Sequence, residues 1–442
     1  MKVGFISLGC SKNLVDTEHM MGALKAAGHE IVNDPELADA VVVNTCGFIT
    51  EAKREAIDAI VEMGLLKEQG KFRILLATGC LAQRYPDELL QELPELDAVV
   101  GVKDYLRIPA ILNACEAGQR PKAVSGWPEK YSLQTKRLVS TPPGWAYLKI
   151  AEGCNNRCTY CAIPGIRGPL RSRPKAELIK EAQELADAGV RELVLVAQDT
   201  TAYGRDLGPG ESLADLVEKL GDINGIEWIR VMYAYPTGNV GEILSALKLK
   251  KVVPYLDIPL QHGSDKILKL MGRRYNRQVV YNLIAELREA IPGLALRTTL
   301  MTGFPGESAD DHQENMELLE RLQFDWTGVF AYSKEDGTVA GRLVPEVSPE
   351  VALERRRQLL ELQQRITQRK NQQRVGQQAS VLVESRLSPG NYRGRACFQA
   401  PEVDGTVLIK ANRVLETGNF VTISFSRAYG YDLIGEEQIG TT

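Results

Sequence analysis

Twice along this chain, short β-branched runs alternate with helix-length segments. That alternation admits few folds other than parallel sheets covered by helices. In the first 112 residues the apolar runs are 3–8, 40–44 and 73–78, and the helical segments are 14–27, 51–69 and 86–93. Gly28 and Gly70 stand where helix C-caps are wanted. From Trp145 the alternation restarts. Strands are expected at 146–150, 193–197, 228–232, 255–258, 295–301 and 327–331, with helices such as 175–188, 239–247, 277–290 and 309–322 between them. Six βα units are too few to close an eight-stranded barrel and suit an open, partial one. The stretch between the two alternations carries Pro121, Gly126, Pro128, Pro142 and Pro143 without periodicity and reads as a connector.

Beyond the second alternation, Ser348-Pro349-Glu350 is a helix start, with Ser as N-cap and Pro at the first helical position. Leu359, Leu362 and Ile366 continue a helical stripe expected to pack on the partial barrel. Arg355, Arg356, Arg357, Arg365, Arg369 and Lys370 make this helix basic, as a solvated face or as a contact for RNA or a ribosome. After it come short strands at 379–384, 393–399, 405–409 and 420–425, the pattern of a small five-stranded OB-type barrel. The fold class is therefore α/β with an all-β end. An N-terminal parallel α/β domain spans 1–118, a linker 119–143, a central partial (βα)6 barrel 144–372 and an OB-like barrel 374–440.

Composition narrows the function classes. The chain has 442 residues, 44% hydrophobic and 25% charged, with a net charge of -4, so nucleic-acid binding would need a local basic patch. On the terminal barrel, basic and acidic residues balance, which argues against a strong phosphate-binding surface. No apolar run approaches the ~18 residues of a membrane span, and the first residues are too short for a signal peptide. Eight cysteines in such a chain are not a disulfide framework. A reducing, cytoplasmic location is expected.

The cysteines carry the chemistry. Cys10, Cys46 and Cys80 each follow a predicted strand of the first alternation. Carboxyl ends of parallel strands share one edge, where ligands bind, so three cysteines distant in sequence can converge. Gly9, Gly47 and Gly79 beside them allow close backbone approach. The alternatives are three buried thiols acting as small apolar residues, or a three-thiolate iron–sulfur site. A second set, Cys154, Cys158 and Cys161, lies at C-x3-C-x2-C spacing in the loop after the first strand of the second alternation. The four histidines, His19, His29, His262 and His312, are all out of reach along that loop. Structural zinc takes four protein ligands. Three thiolates instead suit a four-iron cluster with one iron open to a substrate or cofactor, a lone zinc half-site being the alternative. Cys115 and Cys397 have no such partners and read as packing residues. Other strand ends carry Gln198-Asp199-Thr200, Gln261-His262 and Thr302-Gly303-Phe304-Pro305-Gly306-Glu307. His262 is either a structural or a catalytic histidine, and the 303–306 loop either a plain turn or a ligand approach.

The C-x3-C-x2-C loop, with Tyr160 before its last cysteine, resembles the signature of the radical S-adenosylmethionine (SAM) enzymes. The resemblance implies a 4Fe-4S cluster on Cys154, Cys158 and Cys161 whose open iron chelates SAM, with Tyr160 near the adenine. Reductive cleavage of SAM then yields a 5′-deoxyadenosyl radical. Gln198, Asp199, Gly303 and Gly306 are the SAM contacts this implies in the core. The whole arrangement resembles the methylthiotransferases, which implies an auxiliary 4Fe-4S cluster on Cys10, Cys46 and Cys80 and a terminal barrel of TRAM type. Residues 9–16, 161–173 and 198–204 are similar to the branch that modifies ribosomal protein S-twelve, although Ser11 stands where that branch often has proline. The resemblance implies SAM-dependent methylation of a cluster sulfur, then radical transfer of the methylthio group to the β-carbon of an aspartate. It further implies S-twelve as partner, free or in the small ribosomal subunit, a reducing electron donor, and a weak RNA contact through the barrel. A monomer is expected. A tRNA adenosine methylthiotransferase and a non-catalytic iron–sulfur electron carrier are the competing readings.

Overall fold

The computed structural model describes residues 1–128, 130–133, 135–236 and 240–438. The chain divides into two compact units. The first comprises Met1–Ser140, Ala151–Glu177 and Ser333–Gly341, and the second Thr141–Ile150, Leu178–Tyr332 and Arg342–Thr442.

The first unit is built on a parallel sheet of β1 (Lys2–Ser7), β2 (Glu30–Val32), β3 (Ala40–Thr45), β4 (Ile74–Gly79), β5 (Ala98–Val100) and β6 (Lys122–Ala123), in the order β2-β1-β3-β4-β5-β6. β3 and β4 are buried along their whole length, as expected of strands covered on both faces. Their alternate residues enter different cores. Val42 and Leu76 pack with Met20 and Leu24 of α1 (Ser11–Ala26). Val41, Val43 and Leu75 pack with Ile60 and Met63 of α2 (Thr50–Glu68). Three shorter helices connect the later strands: α3 (Cys80–Arg84) and α4 (Pro86–Glu92) between β4 and β5, and α5 (Ile108–Glu116) between β5 and β6. The strand order reverses between β1 and β3, which makes their carboxyl ends the switch point where open α/β sheets bind ligands.

The stretch read as a connector is packed. Its residues 122–123 form β6, Tyr131 and Leu133 are buried in the α1 core, and Arg137 pairs with buried Glu18 at 2.7 Å. Proline and glycine there exclude a helix, not burial.

The second unit holds a parallel six-stranded sheet whose strands neighbour one another in sequence order. These are β7 (Trp145–Lys149), β10 (Glu192–Val196), β11 (Trp228–Val231), β12 (Val252–Asp257), β13 (Ala295–Thr302) and β14 (Trp326–Ala331). The numbers β8 (Ala151–Glu152) and β9 (Arg171–Ser172) belong to a two-stranded ribbon of the first unit. Each helix expected in this region forms within about a residue of its expected bounds; of the expected 239–247 segment, Asn239 lies outside the described residues and the helix runs Val240–Leu247. The basic helix is Pro349–Arg374, capped by the Ser348 side chain, with Leu359, Leu362 and Ile366 buried. Its cations are largely engaged: Arg356 donates to Val329 O, Arg357 pairs with Glu354, and Lys370 and Arg374 pair with Asp325.

A closed barrel of β15 (Gln378–Ser388), β16 (Asn391–Ala396), β17 (Val407–Lys410), β18 (Phe420–Tyr429) and β19 (Asp432–Glu437) ends the unit. Its β16–β17 connection is bonded to the six-stranded sheet. Trp326 Nε1 donates to Phe398 O, Arg230 to Cys397 O, Tyr255 Oη to Asp404 and Tyr147 Oη to Glu402, each at 2.7 Å. Glu192 accepts from Arg230 at 2.8 Å and from Arg395 at 2.6 Å, all three fully buried. Burial pushes the Glu192 carboxyl up, but the two guanidiniums outweigh it and hold it below the usual range.

Candidate iron–sulfur sites

Cys10 is the N-cap residue of α1, Cys46 follows β3, and Cys80 opens α3 directly after β4. These strands are neighbours, so the three cysteines share the carboxyl edge at and beside the switch point. Glycines let the loops crowd together. A Cβ on Gly9 (φ +93°) would lie 2.9 Å from Cys46 Cβ, and one on Gly79 (φ +96°) 2.3 Å from Asn44 Oδ1. A Cβ on Gly47 would meet the backbone of Leu81 at 2.7 Å. Asn13, fully buried, ties the edge: its Nδ2 donates to Leu8 O at 3.1 Å and Thr45 O at 3.0 Å, and Cys80 Sγ lies 3.5 Å from its Oδ1.

The thiols differ in setting. Cys10 is exposed, Cys46 half-buried and Cys80 buried. Burial pushes the Cys46 thiol up to about 12, with Cys80 beside it adding to the rise. Burial raises Cys80 as well, against the field of Arg167. At Cys10, crowding by protein also raises the thiol, but Lys12, Arg167 and nearby backbone N–H groups bring it below its ordinary value. Among the described residues, no three His, Cys, Asp or Glu side chains converge as ligands of a single ion. Tetrahedral thiolate coordination of one zinc requires sulfurs about 2.3 Å from a common point. Thiolates on separate irons of a cluster are spread further apart, which suits three loops held at three strand ends.

The second cysteine loop lies in the same unit. The β8–β9 ribbon closes its base, pairing Ala151 with Ser172 and Glu152 with Arg171. A Cβ on Gly153 (φ +80°) would fall 2.0 Å from Pro169 O, so only glycine lets the two arms cross. Cys154 N donates to Gly168 O at 3.1 Å and Cys161 N to Cys158 O at 3.1 Å. Asn156 N points at Cys154 Sγ at 3.4 Å. The three cysteines and Tyr160 are half-buried in this loop. Residues 333–341 brace it: Ala340 N donates to Thr159 O at 2.8 Å, and buried Glu335 accepts from Lys53 at 2.8 Å and Arg84 at 2.6 Å.

Gln198, Asp199, Gly303 and Gly306 lie in the second unit, after β10 and β13. Asp199 is buried and accepts from Thr201 Oγ1 at 2.6 Å. A Cβ on Gly303 (φ +74°) would come 2.3 Å from Ala352 Cβ, so glycine there is demanded by the helix Pro349–Arg374. Glu307 folds back to accept from the N–H groups of Gly303 and Phe304. His262 is buried; its Nδ1 accepts from Ser264 N at 2.9 Å and its Nε2 lies 3.6 Å from Glu307 Oε1. Gln261 (φ +77°) and Tyr233 (φ +60°) hold left-handed backbone conformations at strand ends, strain of the kind that collects at functional sites. Tyr233 went unread because no local motif marks it.

Comparison with known proteins adds the family. Residues 2–101 match the Uncharacterized protein family UPF0004, 148–319 the Radical SAM superfamily and 375–437 the TRAM domain. A protein of Syntrophomonas wolfei named ribosomal protein uS12 methylthiotransferase RimO is 50% identical over 439 residues, 99% of this chain and 100% of its own. Its namesake from Caldicellulosiruptor saccharolyticus is 45% identical over 441 residues, 99% of each chain. The chain belongs to the RimO family. RimO proteins are radical SAM methylthiotransferases, so this chain is an enzyme of that class. The radical SAM methyltransferase TsrM of Kitasatospora setae, solved with cobalamin and a 4Fe-4S cluster bound, shares the fold at TM-score 0.57 and 14% identity, over 77% of each chain. Among the described residues no helix is long and apolar enough to cross a membrane.

Proposed function

We propose that this enzyme methylthiolates the β-carbon of an aspartate in ribosomal protein uS12, using two 4Fe-4S clusters and SAM. Cys154, Cys158 and Cys161 would hold one cluster and Cys10, Cys46 and Cys80 the other. Bound there, the clusters would supply the reductive cleavage of SAM and the sulfur that is methylated and transferred. The observation that carries this reading is the gathering of three cysteines, far apart in sequence, at one sheet edge of the unit that also carries the C-x3-C-x2-C loop. An aliphatic C–H bond has no useful acidity, so a general base is inadequate and a radical initiator is required.

The chain's own groups hold and shield. Gly9, Gly47 and Gly79 admit the crowding of the three loops. Tyr160, Gln198, Asp199, Gly303 and Gly306 are the proposed SAM contacts. The proposed domains are 1–118 for the auxiliary site, 144–372 as radical SAM core and 374–440 as TRAM barrel, with 119–143 as the packed stretch that joins the first to the second. A reducing electron donor, a cytoplasmic location and a monomeric state complete the proposal.

Two measurements test it. Iron and sulfide in anaerobic protein should correspond to two clusters, with Cys46→Ala and Cys158→Ala each losing one and sparing the other. Mass spectrometry of uS12 and tRNA from a deletion strain should show the methylthio mark lost from the protein. Its loss from tRNA alone rejects the substrate.

A further inference from the structure

One buried cation stands between the two cysteine loops. Arg167 is 1% exposed and lies six residues beyond Cys161. Its guanidinium donates to Glu152 Oε2 at 2.7 Å, to Asp16 Oδ2 at 3.1 Å and to Asn13 Oδ1. Asn13 and Asp16 belong to α1, the helix that Cys10 caps, while Glu152 ends β8, two residues before Cys154. Cys80 Sγ approaches the same Asn13 oxygen at 3.5 Å. The short helix Ile163–Arg167 packs on Cys80 through Ala162 and Ile166. A guanidinium does not shed its proton in a protein, so this charge is permanent.

We infer that Arg167 is a positioning residue for the Cys10–Cys46–Cys80 triad: its charge sets the reduction equilibrium of the centre those thiolates hold, and its fork fastens α1 to the arm of the second cysteine loop. The inference rests on the two-cluster reading above. A positive charge a few ångströms away favours the more negative, reduced state, and a buried carboxylate opposes it. Arg167 and Asp16 therefore act with opposite sign on the same centre. A purely structural role would give no such sign.

The test uses the anaerobically reconstituted full chain, titrated with dithionite and followed by electron paramagnetic resonance. Cys158→Ala isolates the signal of the triad's cluster. In that background Arg167→Gln should make reduction at least about tenfold less favourable, a shift of about 59 mV to more negative potential for one electron. Arg167→Lys, which keeps the charge, should stay within about threefold of the parent. Asp16→Asn should shift the equilibrium the other way. A shift below about twofold in Arg167→Gln, the same shift in Arg167→Lys, or a shift of the same sign in Asp16→Asn overturns the inference. If Arg167→Gln loads no iron at the triad, Asp16→Asn decides by itself: a positive shift supports and anything else overturns. Absence of a second cluster in the unsubstituted chain would instead fail the two-cluster reading, which separates the two results.

Discussion

Asn13 shows how much of the first site rests on one neutral side chain. It bonds two loop carbonyls, takes a bond from Arg167 and lies beside Cys80. Each buried group left without a partner costs about 1–3 kcal/mol. Asn13→Ala should therefore lower the stability of the metal-free protein by about 2–4 kcal/mol in chemical denaturation. Asp404 supplies a pH test. Burial pushes its carboxyl up to about 6, despite Arg297 at 3.4 Å and donors from Ala400 and Tyr255. The folded state then binds the proton more tightly than the unfolded chain, whose aspartates titrate near 3.9. The contribution is present in full below about pH 4 and is lost as pH rises through about 6. Measured as wild type minus Asp404→Asn, stability should fall by about 2 kcal/mol between pH 4 and 7 and stay level above. The cysteines were legible in the sequence because spacing and strand ends announce them. Arg167, Asp16 and Glu152 were not, because single charged residues carry no periodic signal and their meeting is a tertiary event.

Among elements, the long helix Pro349–Arg374 depends on a glycine in a distant loop. Gly303→Ala would place a methyl group 2.3 Å from Ala352 Cβ at a left-handed φ. The cost should be about 2–4 kcal/mol by thermal unfolding. Ala352→Gly in the same chain should recover the steric part and leave about 1 kcal/mol of backbone strain, a coupling that a double-mutant cycle measures. Long elements were read from the sequence to within a few residues, since hydrophobic period and caps repeat over many positions. The strands Glu30–Val32, Ala98–Val100 and Lys122–Ala123 were not read. Two or three residues hold too little pattern, and such strands exist because a neighbour offers an edge. The fifth strand of the barrel, Asp432–Glu437, was missed for its acidic end.

At the scale of the molecule, the terminal barrel behaves as a fixed part of the second unit. Glu192, Arg230, Tyr255 and Trp326 find partners on it, several of them fully buried. A chain truncated after Arg374 should expose these groups and a ring of apolar surface. Expression should then shift to the insoluble fraction, whereas a detachable binding module would leave a soluble, cooperatively melting core. Architecture at this scale was legible as an order of segments. The grouping of 151–177 and 333–341 with the first unit was not, because the bonds that do it, such as Glu335 with Lys53 and Arg84, join residues hundreds of positions apart.

That grouping has a consequence for how the protein is made. The first unit draws its last piece from Ser333–Gly341, so a nascent polypeptide emerging at ~5–20 residues per second must wait roughly 10–40 s after residue 140 appears before the unit can close. Four sulfhydryls at the start of that interval, and seven once Cys161 has emerged, sit on an unfinished body, open to oxidants and to stray metals. Delivery of iron should accordingly be a late event, following release from translation, and pulse-labelled chains should acquire it only after full length is reached.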